Sequence, residues 1–231
     1  PQLFLEKWRV EDNSFLKQFG ISIPGKDALP RAYVKCFPQD FVVEEVRTNG
    51  DVLSIAYPGE GVTETALASI PERSPTYFAT LVKCNLTQHR ALELIAEALG
   101  VGVDAIAYAG IKDQRAITAG RISIRGVTRE QLAKALKGEQ YFLKDIEASK
   151  GVMTTGELKG NRFTLFVRVE PDIFVIKREA FLRALSRVVE KGFTNFFYLQ
   201  RFGTPRLINY EWAESILKGE YESAVKSIIT K

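Results

Sequence analysis

Residues 108–125 read YAGIKDQRAITAGRISIR, and the fold turns on how this stretch is divided. An apolar run over 106–109 stops at Gly110. Lys112 and Asp113 then stand side by side in a polar turn, and a second apolar alternation follows. Glycine lets the backbone turn sharply or approach a ligand closely, so the spacing predicts strand, tight turn, strand, with a carboxylate presented at the turn. Side chains alternate along a strand, which sends Ile122 and Ile124 one way and Arg121, Ser123 and Arg125 the other. In sequence, Lys112, Arg115, Arg121, Arg125 and Arg129 surround Asp113 with positive charge. A single acid in a basic field suggests a group that stays ionised beside a polyanion, because positive neighbours favour the ionised carboxylate. On spacing alone, a Lys-Asp pair in a Gly-containing turn is ordinarily a solvated turn.

A chain of 231 residues holds one substantial domain or two small ones, and 45% apolar residues can build a core. The formal net charge of +4, with a pI near 9.0, is a mild bias toward anionic partners. No apolar run approaches the roughly 18 residues of a membrane helix. The N-terminal PQLFLEKWRVEDN is too charged for a signal peptide, so a cytoplasmic location is expected. Cys36 and Cys84 are isolated, with no CxxC, which indicates neither zinc nor a disulfide framework. His89 is the only histidine and stands among helix-like residues, where a structural role is expected. Ser-His-Asp and His-rich metal chemistry are thereby set aside. An enzyme of this composition works with carboxylate, Lys, Arg, Tyr or a hydroxyl.

Along the chain, residues 1–30 read as an irregular arm. Strands are expected at 32–37, 41–46 and 51–57, the last ended by Pro58-Gly59, and again at 77–83. Thr87 is placed to cap a helix whose Leu92, Ile95, Ala96 and Leu99 share one face, with Gly100 ending it. A strand at 103–109 precedes the Asp113 turn. Thr128 and Gln131 form a capping box for a helix ending near 138, and 141–148 reads as a strand. A further strand carries Phe163, Leu165, Val167 and Val169 on one face. Residues 177–191 form an amphipathic helix with Phe181, Leu182, Leu185, Val188 and Val189 facing inward. Two helices, about 207–218 and 220–229, finish the chain.

Three separated segments carry a family resemblance. Gly110, Lys112, Asp113, Ala116 and Thr118 form Gly-x-Lys-Asp-x-x-Ala-x-Thr, which resembles the signature of the TruD family of pseudouridine synthases. That family commonly has Gln where this sequence has Gly120. The segment Lys35-x-x-Pro38-x-Asp40-Phe41-x-Val43-x-Glu45 resembles the family's N-terminal motif. Asn195-Phe196-Phe197-Tyr198-Leu199-Gln200-Arg201-Phe202-Gly203 is similar to its second signature at every fixed position. The Lys159-Gly160-Asn161-x-Phe163 run also recurs there and reads as chiefly structural. Together the match covers most of residues 31–218.

The resemblance implies an α+β fold, with a mixed, mostly antiparallel sheet flanked by helices. It divides the chain into an arm (1–30), a catalytic domain (31–218) and a C-terminal helix (219–231) that starts an insertion or forms an interface. It implies isomerisation of uridine to pseudouridine in structured RNA, most often at position 13 of tRNA, without cofactor. Asp113 would be the catalytic carboxylate, attacking C1′ or C6 as nucleophile or removing the C2′ proton to give a glycal. Lys112 and Lys35 would support it and contact phosphate, and Asn195 would fix its rotamer. Phe41 and Phe197 would stack on a flipped base. Arg115, Arg121, Arg125, Arg201 and Arg206 would contact the RNA backbone. Family members continue past the point where this sequence stops, so a fragment lacking the C-terminal segment, a half-enzyme completed by a second polypeptide or a reduced member is expected, with a non-catalytic RNA-binding protein as the alternative function.

Overall fold

The computed structural model describes residues 32–193 and 209–230. The chain divides into two compact units, residues 1–177 and 178–231.

The first unit is built on one sheet. Its strands are β2 (Phe41–Val46), β3 (Thr76–Cys84), β4 (Ile106–Tyr108), β5 (Ile117–Arg125), β6 (Tyr141–Ser149) and β7 (Gly160–Leu165). They run in the order β6-β3-β5-β2-β7, with β4 also on β5. Every pairing is antiparallel except the parallel β2–β5 contact, in which Val43 faces Thr118 and Glu44 faces Ala119. β3 pairs with the whole of β5, so β2 and β4 share its opposite edge. β2 takes residues 117–119 and β4 takes 122–124. A gap in the ladder therefore falls at Gly120 and Arg121. A separate two-stranded ribbon joins β1 (Ala32–Tyr33) to β8 (Arg168–Val169).

The expected alternation in β5 is present. Ile122 and Ile124 enter the main core, with Tyr77, Ala79 and Leu81 of β3. Against this face lie α1 (Val62–Ala68), α2 (Gln88–Leu99) and α3 (Arg129–Lys134), which contribute Leu67, Leu92, Ile95, Leu99 and Leu132. α2 has the cap read from the sequence. The Thr87 hydroxyl accepts from the Arg90 N–H, and Gly100 takes a left-handed φ of 72° that ends the helix. The Thr128–Gln131 capping box opens α3. These elements are fixed by local chemistry, which is why a sequence reading finds them.

Elsewhere the structure corrects the expectation. Residues 51–57 form no strand, only an isolated bridge between Val46 and Val52. Leu53 packs its side chain on Val82 and Ala119, and its N–H bonds the Glu45 carbonyl at 2.9 Å. The turn between β4 and β5 is a loop of eight residues, 109–116. The strand expected through 163–169 breaks after Leu165, where the Phe166 N–H bonds the Asp40 carbonyl instead of a neighbouring strand (2.8 Å). α1 escaped the sequence reading because its seven residues are too few to display a helical period.

α4 (Pro171–Lys191) crosses the boundary between the units and starts earlier than expected. Phe181, Leu182, Leu185, Val188 and Val189, expected to face inward, are exposed, from 37% for Phe181 to 80% for Val189. Periodicity predicts a stripe, and not whether a partner covers it. In the second unit, α5 (Asn209–Leu217) and α6 (Tyr221–Thr230) form as expected. The Trp212 indole N–H donates to the Ser227 hydroxyl (3.2 Å), and Ala224 is buried.

Candidate active site

Asp113 sits in the loop 109–116, and that loop is tied down along its length. The Gly156 N–H donates to the Ala109 carbonyl at 2.7 Å, and the Asn85 N–H to the Ala116 carbonyl at 3.1 Å. Lys83, buried in β3, sends its Nζ to the carbonyls of Leu86 (2.8 Å), Asp113 (2.8 Å) and Lys112 (3.3 Å). Burial pushes its ammonium pKa down to about 8, with the Asp113 charge opposing that shift.

The Asp113 carboxylate itself is 44% exposed and pairs with Lys35, whose Nζ lies 3.2 Å from Oδ1. Lys35 has a left-handed φ of 56°, a costly conformation for a residue with a Cβ and one that collects at functional sites. Its segment is held by Asp40, which is buried and receives two bonds from the Arg168 guanidinium (2.7 and 2.8 Å). Asp40 also accepts from the Phe37 N–H at 3.0 Å. The Arg168 hydrogen bonds hold the Asp40 carboxyl below its ordinary range. The Lys35 ammonium also lies over the Phe41 ring, 3.6 Å from its centroid. Phe41 stacks on Phe163, with centroids 5.8 Å apart and planes within 9°. Phe41 is buried and Phe163 is 56% exposed.

Beneath the loop lies a buried ion pair. Lys112 Nζ is 2.7 Å from Glu45 Oε2, with the two side chains 4% and 1% exposed. The other Glu45 oxygen accepts the Arg121 N–H at 3.2 Å. That N–H belongs to the ladder gap between β2 and β4, so the carboxylate replaces a missing strand partner. A Cβ on Gly120 would meet Lys112 Cε at 3.3 Å and Glu45 Oε2 at 3.4 Å. A side chain at 120 would thus displace the Lys112 stem from its seat.

A cationic arm, an exposed carboxylate and a stacked aromatic pair converge at one end of the sheet. The family model for TruD, tRNA pseudouridine synthase D, matches residues 31–231. The chain belongs to the TruD family. It is 32% identical over 191 residues to a "Probable tRNA pseudouridine synthase D" of Methanococcus vannielii, covering 83% of this chain and 46% of that protein. It is also 32% identical over 198 residues to "Probable tRNA pseudouridine synthase D 1" of Methanocaldococcus jannaschii, covering 86% and 48%. A crystal structure of a Methanosarcina mazei protein of the same designation shares the fold, with a TM-score of 0.62 at 23% identity. That match covers 90% of this chain and 44% of the other. The α+β class read from the sequence is thereby borne out. The chain spans about half the length of the relatives it matches.

In this TruD-family chain, Lys35, Phe41 and Asp113 come together as the motifs suggested. Lys112, expected to support Asp113 and contact phosphate, is buried in this structure and faces Glu45 (2.7 Å) and the Gly110 carbonyl (3.3 Å). Arg121 is also buried, on the opposite face of the sheet. It bonds the Asp145 carbonyl (3.2 Å) and the Glu147 carboxylate, and burial lowers its pKa to about 10. Arg125 ends β5 at the far end from Asp113, bonded to the Asp104 carbonyl at 2.7 Å. Arg129 pairs with Glu72 at 3.1 Å. The arginines that follow Asp113 in sequence are thus spread apart in space, with Arg115 the one that shares its exposed loop, and the cations seen on Asp113 are lysines, Lys35 at the carboxylate and Lys83 at the carbonyl. Asn195, Phe197, Arg201 and Arg206 lie outside the described residues. His89 is exposed and pairs with Glu93 along α2. The sequence reading missed Lys83 and the Asp40–Arg168 lock. Its signal was available: a lysine between Val82 and Cys84 in an apolar strand needs buried partners. No helix among the described residues is long and apolar enough to cross a membrane.

Proposed function

We propose that this chain carries the catalytic carboxylate of a tRNA pseudouridine synthase, with Asp113 acting on a uridine of structured RNA. The observation that supports this most is the Asp113–Lys35 pair beside the Phe41–Phe163 stack. The carboxylate is exposed enough to meet a ribose, yet its main chain is fixed. In the reaction the N1–C1′ bond breaks, the base turns, and a C5–C1′ bond forms. The C5 proton is released to solvent and N1 gains a proton, so substrate and product are isomers. Each route open to Asp113 (attack at C1′, attack at C6, or removal of the C2′ proton) needs an ionised carboxylate within reach of the nucleoside. A base must leave its stack first, at a cost of a few kcal/mol. Phe163, the exposed member of the aromatic pair, offers a surface that offsets part of this.

Tritium release from a tRNA transcript labelled at uridine C5 tests the proposal. Release is expected from the chain and not from Asp113→Ala. Equal release from both would overturn it. The net charge of +4 and the exposed Phe163 ring also suit a second reading, a chain that binds RNA without catalysis. That reading expects RNA binding without release. Asp113→Lys separates a binder from an enzyme, since charge reversal strengthens the electrostatic attraction to RNA while abolishing chemistry.

A further inference from the structure

We propose that Lys83 is a positioning residue for Asp113, its ammonium fixing the main chain from which the reactive carboxylate projects. This rests on the reading of Asp113 as that carboxylate. Lys83 is the penultimate residue of β3, a strand flanked on both sides, and is 1% exposed on the same face as Leu81 and Ala79. Burying a lysine is expensive, and a leucine or methionine would fill the same strand position without that cost. What Lys83 supplies instead is three N–H donors, and three carbonyls receive them: Leu86 and Asp113 at 2.8 Å and Lys112 at 3.3 Å.

The remaining backbone ties hold the loop elsewhere. Gly156 holds residue 109 and Asn85 holds residue 116, at its two ends. The Lys112 side chain bonds the Gly110 carbonyl. The peptide groups on either side of the Asp113 N–Cα–C unit are not held by those bonds. Lys83 takes both the carbonyl before Asp113 and the carbonyl of Asp113 itself. Two anchor points so placed fix φ and ψ at residue 113, and with them the direction of its Cα–Cβ bond toward Lys35.

The charge state matters to this role, because a neutral amine has two hydrogens for three carbonyls. The charged and titratable groups around Nζ are Asp113 and Lys112 on the loop, Cys84 on its own strand, Glu45 behind Lys112 on β2, and Tyr141 opposite it on β6. With the amine titrating near 8, one of the three bonds is lost at mildly alkaline pH.

The test uses the full chain and Lys83→Met, which keeps the stem and removes the donors. Amide hydrogen exchange is followed in peptides covering the loop 109–116 and, as controls, β3 and β5. Exchange about 10-fold faster in the loop alone is expected, whereas unchanged loop exchange would overturn the proposal whether or not the chain is active. Where tritium is released, single-turnover rate is expected to fall about 100-fold with RNA affinity unchanged, the loss typical of a reactive group misplaced by an ångström. The alkaline limb near pH 8 of the wild type is expected to vanish in the variant. A rate that falls only through weaker RNA binding would overturn the positioning role. Should wild type and Asp113→Ala both fail to release tritium, the enzymatic reading fails while loop exchange still decides the hold of Lys83. Should Lys83→Met not fold, NMR titration of the Lys83 ammonium in the wild type decides. A midpoint near 8 supports the buried geometry and one near 10.5 overturns it.

Discussion

Replacing Lys112 with methionine separates the structural role seen here from the phosphate contact suggested by its position in the motif. The two side chains of the Lys112–Glu45 pair are 4% and 1% exposed, at 2.7 Å. Removing the lysine leaves a carboxylate in the sheet interior with one remaining donor, the Arg121 N–H. Breaking a buried pair from one side costs about 3–5 kcal/mol, and that donor places the expected loss near the low end. Urea unfolding followed by circular dichroism reads it. Adding Glu45→Gln removes the stranded charge, so the double variant should recover about 2 kcal/mol of the loss, a coupling typical of contacting groups. The double variant also serves for RNA binding, since it lacks the Lys112 charge and is the more stable of the two. A lysine on phosphate contributes about one to the salt slope of binding. With Lys112 turned away from solvent, the slope should not change. A single variant within about 1 kcal/mol of wild type, together with a slope reduced by one, would refute the buried pair and restore the phosphate contact.

The aromatic pair divides in the same way. Phe41→Ala should destabilise by about 3 kcal/mol because the ring is buried, while Phe163→Ala should cost well under that and instead weaken RNA binding, by about 1–3 kcal/mol for one stacked base. Urea unfolding and filter binding measure the two losses. On the acid side, the Asp40 carboxyl is held low by Arg168, so its contribution is present above the unfolded value of 3.8 and is lost as pH falls through the folded value. Asp40→Asn should flatten that part of the acid unfolding curve. On the alkaline side, Lys83 has a folded value of about 8 against 10.5 unfolded, so the unfolded chain binds more protons between them. Its contribution to stability therefore rises across that window, and Lys83→Met should abolish the rise in a pH series of urea midpoints.

What the sequence revealed and what it hid follow from the range of the interactions involved. The caps at Thr87 and Gly100, the Thr128–Gln131 box and the alternation of β5 are settled within a few residues, and each appears where the sequence put it. Residues 51–57 alternate too, yet Leu53 and Ile55 are half or fully buried by packing beneath a sheet face, without a ladder. Burial and strand pairing leave the same period of two. The arginines misled for a geometric reason. Arg121 lies in the ladder gap with its side chain on the other face, and at about 3.3 Å per strand residue Arg125 lies more than 25 Å of strand from the start of β5.

The charges under Asp113 show where sequence reasoning can be extended. Glu45, Lys83 and Lys112 each stand in or beside an apolar run, and buried charges are kept only with partners. Their presence therefore announces an internal polar network. Its wiring is set by register. The parallel pairing of Glu44 with Ala119 brings Glu45 to Gly120, one step on, where the ladder leaves an N–H open and the absent side chain leaves room for the Lys112 stem. With Lys112 on Glu45 and Lys144 on the Ala56 carbonyl, Lys83 is the buried ammonium that bridges the peptides flanking Asp113. A side chain at residue 120 would crowd the Lys112 stem and the Glu45 carboxylate, and that constraint is a consequence of pairing between strands more than 70 residues apart.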